Sequence, residues 1–263
     1  KALDKLALVA FPLMLSVMAL MLLRTFEVSS FEALTRIAPS AQMGFGQAVT
    51  ALSGGIIVGV LLIPDLTRYA RGPVDVVVAA VIALTFVETL VHVVAAGPAL
   101  HFAELEPLAL MLSLGLGLLA LVFLVVASVT TNAVNLYGAG LSMASIFPRT
   151  VEWRFVVLAG VVGTALALTD VSALFIDFLV WQSVLFSSVL GVYVVDFFLV
   201  WRGVYALDRL QGAAPVSVAA FVAWAAGAAL AGLAYLERLT LTGIANLDGV
   251  LLAGGVYATW ALG

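Results

Sequence analysis

Apolar segments of about membrane-spanning length recur along the whole chain, and this recurrence limits the fold more than any other feature. Eight can be delimited, at 5–24, 46–63, 74–98, 107–128 (running on past 140), 151–169, 171–200, 214–236 and 246–262. Most reach the ~20 residues that an α-helix needs to cross the hydrocarbon layer. Within that layer every backbone N–H and C=O must be bonded inside the protein, so segments of this kind form helices. Hydrophobic residues make up 64% of the chain and charged ones 10%, with mean hydropathy +1.23. That composition leaves no room for an ordinary soluble domain. The expected fold is an all-α polytopic membrane protein with about eight transmembrane helices, and residues 1–263 read as a single transmembrane domain.

Several chemistries are excluded at once. There is no cysteine, which removes disulfides, thiolate metal sites, cysteine nucleophiles and iron–sulfur clusters. Two histidines, His92 and His101, are too few for a typical haem or zinc centre. Lysine occurs only at Lys1 and Lys5, so a retinal Schiff base in mid-membrane has no candidate. The net charge of −4 is small and no basic run suggests nucleic acid. Neither H-E-x-x-H nor G-x-S-x-G occurs, and acids are not clustered, so the chain does not read as an enzyme and no cofactor is expected.

The first apolar run does not read as a signal peptide, because no small-residue cleavage site follows it before Arg24. With eight spans both ends lie on one side. That side collects Lys1, Lys5, Arg68, Arg71, Arg149, Arg154, Arg202 and Arg209, and the other Arg24, Arg36 and Arg238. The excess places both ends in the cytoplasm of a cell (inner or plasma) membrane. The loop with His101, Glu104 and Glu106 and the turn at Asp170 then face outward. A short amphipathic helix is expected around Phe31–Ile37.

Within this apolar frame a few polar residues stand out. Thr130-Thr131-Asn132, followed by Asn135, interrupts the run from Leu108 to Leu141. An unpaired polar group in hydrocarbon costs several kcal/mol, so such a block either holds a ligand or ion, or bonds helix to helix. Threonine hydroxyls suit a hard cation such as sodium, and the Asn132 amide, donor and acceptor together, suits the edge of a planar heterocycle. The second segment carries Ser53-Gly54-Gly55 and Gly59 and ends at Pro64. It reads either as a helix interrupted by glycine and stopped by proline, or as a Gly55-x-x-x-Gly59 packing face. Asp65 and Arg68 stand three apart and form either a cap with a positive anchor or a gate contact. Glu88 and His92, at i and i+4 in mid-span, form a proton relay or a structural pair. Asp196, near Trp201 and Arg202, is expected to cap or pair at the end of the sixth segment.

Three of these stretches resemble a known family. V-T-T-N-A-V-N-L-Y-G-A-G-L (129–141) is similar to the eighth helix of the nucleobase:cation symporters, the cytosine/purine permease and hydantoin-transporter group. G-I-I-V-G-V-L-L-I-P-D-L-T-R-Y (55–69) resembles their sixth helix and its exit, and V-D-F-F-L-V-W-R-G-V-Y (195–205) the end of their tenth. The resemblance implies that the eight segments match family helices five to twelve, and that helices one to four are missing from an N-terminally incomplete domain. It implies a leucine-transporter-type five-plus-five inverted repeat, with 46–200 as the second repeat and 214–262 as two peripheral helices.

The resemblance also implies roles. Thr130 and Thr131 would give hydroxyls to sodium with the Ala127 carbonyl nearby, and Asn132 would bond the base. Gly55, Ile56 and Val58 would face the substrate. Ile56 and Val58 stand where cytosine permeases resemble one another in an aromatic and a serine, which points to a more apolar or differently shaped substrate than cytosine. Glu88 stands where an uncharged polar residue is expected, which leaves room for proton coupling. The implied function is import of a nucleobase or related heterocycle (purine, pyrimidine, hydantoin-like) by sodium or proton symport with alternating access. The alternatives are a transporter of the same fold for amino acids, amines or thiamine-precursor pyrimidines, and an integral-membrane protein that transports nothing.

Overall fold

A computed structural model describes residues 2–37, 43–68, 70–169, 174–205 and 216–263, with side chains from Lys5 onward. Lys1, Tyr69, Asp170 and Arg209, which enter the readings above, lie outside the described residues. No strand occurs among the described residues, and the protein is an all-α polytopic membrane protein. Each expected apolar segment contains helix among its described residues. Five are long and apolar enough to cross a membrane: Lys5–Val28, Pro73–Phe102, Leu118–Ile146, Phe175–Val200 and Val218–Tyr235. The other three are Phe45–Leu61, Glu152–Ala167 and Ala245–Leu262.

In chain order the helices are α1 (Ala2–Val28), α2 (Phe31–Thr35), α3 (Phe45–Leu61), α4 (Ile63–Thr67), α5 (Pro73–Val81), α6 (Glu88–Phe102), α7 (Pro107–Ser113), α8 (Leu118–Ile146), α9 (Glu152–Ala167), α10 (Phe175–Val195), α11 (Val218–Tyr235) and α12 (Ala245–Leu262). A π-helical stretch, Ile82–Val87, joins α5 to α6, and another, Asp196–Val200, extends α10. They form two compact units, Lys1–Ser40 with Thr67–Leu166, and Ala41–Leu66 with Ala167–Gly263.

Local chemistry sets the helix starts. Ser30 caps α2 by accepting from Ala33 N–H at 3.1 Å, and this is the short helix expected at Phe31. The Glu106 carboxylate accepts from Leu108 and Ala109 N–H, with Pro107 in the first helical position of α7, where its missing N–H costs nothing.

Two boundaries differ from the sequence expectation. The run from 107 past 140 is not one helix, because α7 stops at Ser113 and α8 starts at Leu118. Between them Gly115 and Gly117 take φ of 73° and 50°, a left-handed backbone that only glycine adopts freely. The second segment runs unbroken through Gly54, Gly55 and Gly59. Its interruption is at Leu62, after which Pro64 occupies the second position of α4. The proline, rather than the glycines, sets the break.

In the first unit the core joins Val17 and Met21 of α1, Val94 of α6, Met111 of α7, Leu114 and Leu116 of the turn, and Ala120 of α8. Gly97 passes Thr25 so closely that a Cβ there would lie 2.9 Å from Thr25 Cγ2. Thr25 is fully buried and its hydroxyl donates to Met21 C=O at 2.8 Å.

The second unit packs α3, α10, α11 and α12 through small residues, since hydrocarbon offers helices no hydrophobic drive to associate and close backbone approach must replace it. A Cβ on Gly54 would lie 1.9 Å from the Leu179 carbonyl oxygen, and one on Gly191 2.2 Å from that of Val250. Gly227 meets the Gly249 carbonyl in the same way. A Cβ on Gly55 or Gly59 would touch nothing within 4 Å, so the expected Gly55-x-x-x-Gly59 packing face is not used within this unit. Ser188, fully buried at the crossing of α10, α11 and α12, has a hydroxyl without a partner among the described residues.

The loop into α12 is organised by Asp248, which is fully buried. Its Oδ1 accepts from Thr242 N–H and hydroxyl at 2.9 and 2.6 Å, and its Oδ2 from the Thr240 hydroxyl and Leu241 N–H at 2.8 Å each. Four donors hold the charge where water is absent, and the start of α12 adds the positive end of its dipole.

Candidate substrate and ion site

Thr130, Thr131 and Asn132 all lie on α8, between three and four turns into its 29 residues. The helix is continuous through them, so the Ala127 carbonyl lies inside the helical ladder and only its second lone pair is free for an ion. The Thr130 hydroxyl donates to Val126 C=O, which uses its proton and leaves its lone pairs for a cation. Thr131 and Asn132 are exposed in the first unit and make no side-chain hydrogen bond among the described residues. Adjacent helix residues are turned ~100° apart, so the three side chains can serve two neighbouring subsites.

Gly55, Ile56 and Val58 lie on α3 in the second unit. They therefore belong to a different compact unit from Thr130, Thr131, Asn132 and Ala127. Ile56 lines a cavity of about 380 Å³ among α3, α10 and α12, together with Ser53, Ile57, Ser187, Asn246 and Val250. Gly55 and Val58 are not among its lining residues. The walls are mainly apolar, with the Ser53, Ser187 and Asn246 side chains as polar points.

The candidate gating residues lie in and just past α4, and the candidate relay residues lie on α6. Asp65 sits in the first turn of α4. Arg68, just past α4, donates from Nη2 to the Tyr137 hydroxyl of α8, with its Cζ 5.9 Å from the ring centroid. Tyr137 lies inside the 129–141 motif, but sequence reasoning gave it no role. Only the arginine two residues past Leu66 could have prompted a search for its partner.

Glu88 and His92 open α6 immediately after the π-helical stretch. His92 Nδ1 lies 2.8 Å from Glu88 C=O and 3.8 Å from its Oε1, and both side chains are partly exposed. Asp196 pairs as expected at the end of α10, and its partners are two phenols: Tyr205 donates to Oδ2 at 2.8 Å and Tyr257 of α12 to Oδ1 at 2.7 Å. Burial and the Asp196 carboxylate push the Tyr205 phenol well above its ordinary range.

No group of three or more His, Cys, Asp or Glu able to hold a metal occurs among the described residues. The first unit offers threonine hydroxyls and the Asn132 amide on α8, and the second unit a mainly apolar cavity wall. Comparison with curated proteins and with solved structures gave no match. The family model described as "permease for cytosine/purines, uracil, thiamine, allantoin" matches residues 1–263. A multi-pass membrane chain with this equipment, matched over that span, belongs to the family of permeases for cytosine/purines, uracil, thiamine and allantoin.

Proposed function

We propose that this permease imports a nucleobase or related heterocycle by symport with sodium or a proton. Access alternates within a five-plus-five inverted repeat, of which 46–200 is the second repeat and 214–262 the two peripheral helices. Both ends of the chain lie in the cytoplasm. Thr130 and Thr131, with the second lone pair of the Ala127 carbonyl, take sodium. Asn132 bonds the heterocycle edge, and Gly55, Ile56 and Val58 contact its body. Asp65 and Arg68 act in gating, and Glu88 and His92 serve coupling when the ion is a proton.

The observation that carries this reading is the state of the Asn132 amide and the Thr131 hydroxyl. Both stand exposed on a mainly apolar helix with no side-chain hydrogen bond among the described residues. A polar pair left open at that position is poised for a ligand rather than spent on packing. The apolar surroundings of Ile56 favour a substrate more apolar, or differently shaped, than cytosine. Coupling is then differential affinity: the ion stabilises the state that binds substrate well.

The test is uptake by proteoliposomes holding the full-length protein, using labelled nucleobases, hydantoins and pyrimidine precursors, with and without a sodium gradient. Thr131→Ala is expected to raise the sodium concentration for half-maximal uptake. Asn132→Ala is expected to abolish substrate binding while the protein stays folded. Normal uptake by both variants sinks the site assignment. Uptake driven only by a proton gradient moves the coupling role to Glu88 and His92.

A further inference from the structure

We propose that Tyr137 is a positioning residue of the transport cycle: its hydroxyl, bonded by Arg68, ties the segment leaving the interrupted helix to α8 in one state of the carrier and releases it in another. This rests on the alternating-access reading above. Among the described residues the chain passes between the two compact units at 66/67 and 166/167. At the first of these, Arg68 follows Leu66 by two residues and its guanidinium is already bonded to Tyr137. Two residues span at most ~7 Å, so a displacement of α3 and α4 beyond that slack is delivered to this contact.

Tyr137 is well placed to receive it. It lies five residues past Asn132, about 7.5 Å along the same axis at 1.5 Å per residue. Neither proline nor glycine stands between them, so α8 is stiff over that interval. A load on the Tyr137 hydroxyl therefore bears on the helix turn that presents Asn132.

The contact also has a suitable strength. Arg68 is exposed and Tyr137 half-buried, so the charged hydrogen bond and the weak ring contact are screened by water. A tie made and broken in each cycle has to be modest, and a fully buried ion pair would be too costly to open. Service as a positive anchor at the membrane surface would need no hydroxyl partner, yet the guanidinium has one.

The absence of cysteine makes the test direct. Ala133, one helical turn before Tyr137 on the same face of α8, is replaced by cysteine in the full-length protein in detergent. Its rate of alkylation by a water-soluble maleimide is measured without and with Tyr137→Phe, which removes only the hydroxyl, and with Arg68→Gln. Loss of one partly exposed charged hydrogen bond is expected to change the rate about 3- to 10-fold in either variant. The double variant should show no more change than Arg68→Gln alone, because Tyr137→Phe then removes a bond already lost.

Rates within two-fold of the parent in both variants, or additive effects, overturn the proposal. A purely structural contact would lower the melting temperature, recorded alongside, without this non-additive change in labelling. Should Ala133→Cys impair folding, Ser142→Cys on the exposed side of α8 carries the same measurement. Labelling needs no substrate. Failure of the wild type to take up any heterocycle would therefore sink the functional reading alone, and unchanged labelling would sink this one.

Discussion

Asp248→Asn keeps the shape of the side chain and removes its charge, and its cost can be worked through bond by bond. The asparagine carbonyl oxygen can replace Oδ1 and keep both bonds from Thr242. The amide nitrogen then faces two donors, the Thr240 hydroxyl and Leu241 N–H. Thr240 can rotate its hydroxyl and accept from the amide, although it already accepts from Gly243 N–H at 2.8 Å. Leu241 N–H has no such freedom and is left without a partner. An orphaned buried donor costs about 1–3 kcal/mol, and weakening the two remaining bonds from charged to neutral costs about 1 more. Relief of the carboxylate's own desolvation offsets part of this. The net loss is about 1–3 kcal/mol, or roughly 3–10 °C in melting temperature for a chain of this size. Tryptophan fluorescence of the detergent-solubilised protein reads it. Asp248→Ala forfeits all four bonds and should melt lower still. A melting temperature for Asp248→Asn within about 1 °C of the parent, or below that of Asp248→Ala, would refute the reasoning.

Other outcomes follow from packing. Gly54→Ala puts a Cβ 1.9 Å from a backbone oxygen that cannot step aside, and should destabilise by about 3 kcal/mol in a thermal-melt comparison. Gly55→Ala, one residue away with open space around it, should be neutral or gain up to about 1 kcal/mol from helix propensity. Reversal of that order would mean that α3 packs by another face. Ser188→Ala removes a buried hydroxyl with no partner, and should leave stability unchanged or raise it by about 1 kcal/mol. A clear loss would reveal a bonded group at that crossing.

Helix placement was legible because hydrophobic length is a local signal, and all eight apolar runs contain helices. The turn between α7 and α8 was not, since a window of leucines averages over it. The signal that could have found it is the alternation Leu114-Gly115-Leu116-Gly117. The packing glycine was misassigned for a different reason. A spacing rule selects Gly55 and Gly59, whereas the choice of Gly54 is made by Leu179, far away in sequence. Asp248 drew no attention because its donors, Thr240 to Thr242, become partners only once the loop folds back on the first turn of α12. For the candidate site, the grouping of Thr130, Thr131 and Asn132 on one helix was readable from adjacency alone. The bond from Arg68 to Tyr137 spans 69 residues and has no local trace.

The π-helical stretch Ile82–Val87, where Glu88 N–H bonds to Ala83 C=O, amounts to one surplus residue wound into an otherwise α-helical span. Each residue turns a helix by ~100°, so the stretch rotates the face bearing Glu88 and His92 by about that angle relative to Pro73–Val81. A single-residue deletion between 82 and 87 would restore the shorter winding and swing both side chains to another azimuth, with hydropathy and span length almost unaltered. The direction in which this carboxylate and imidazole look is therefore written in residue count rather than in residue type, and an indel could redirect them where no substitution would.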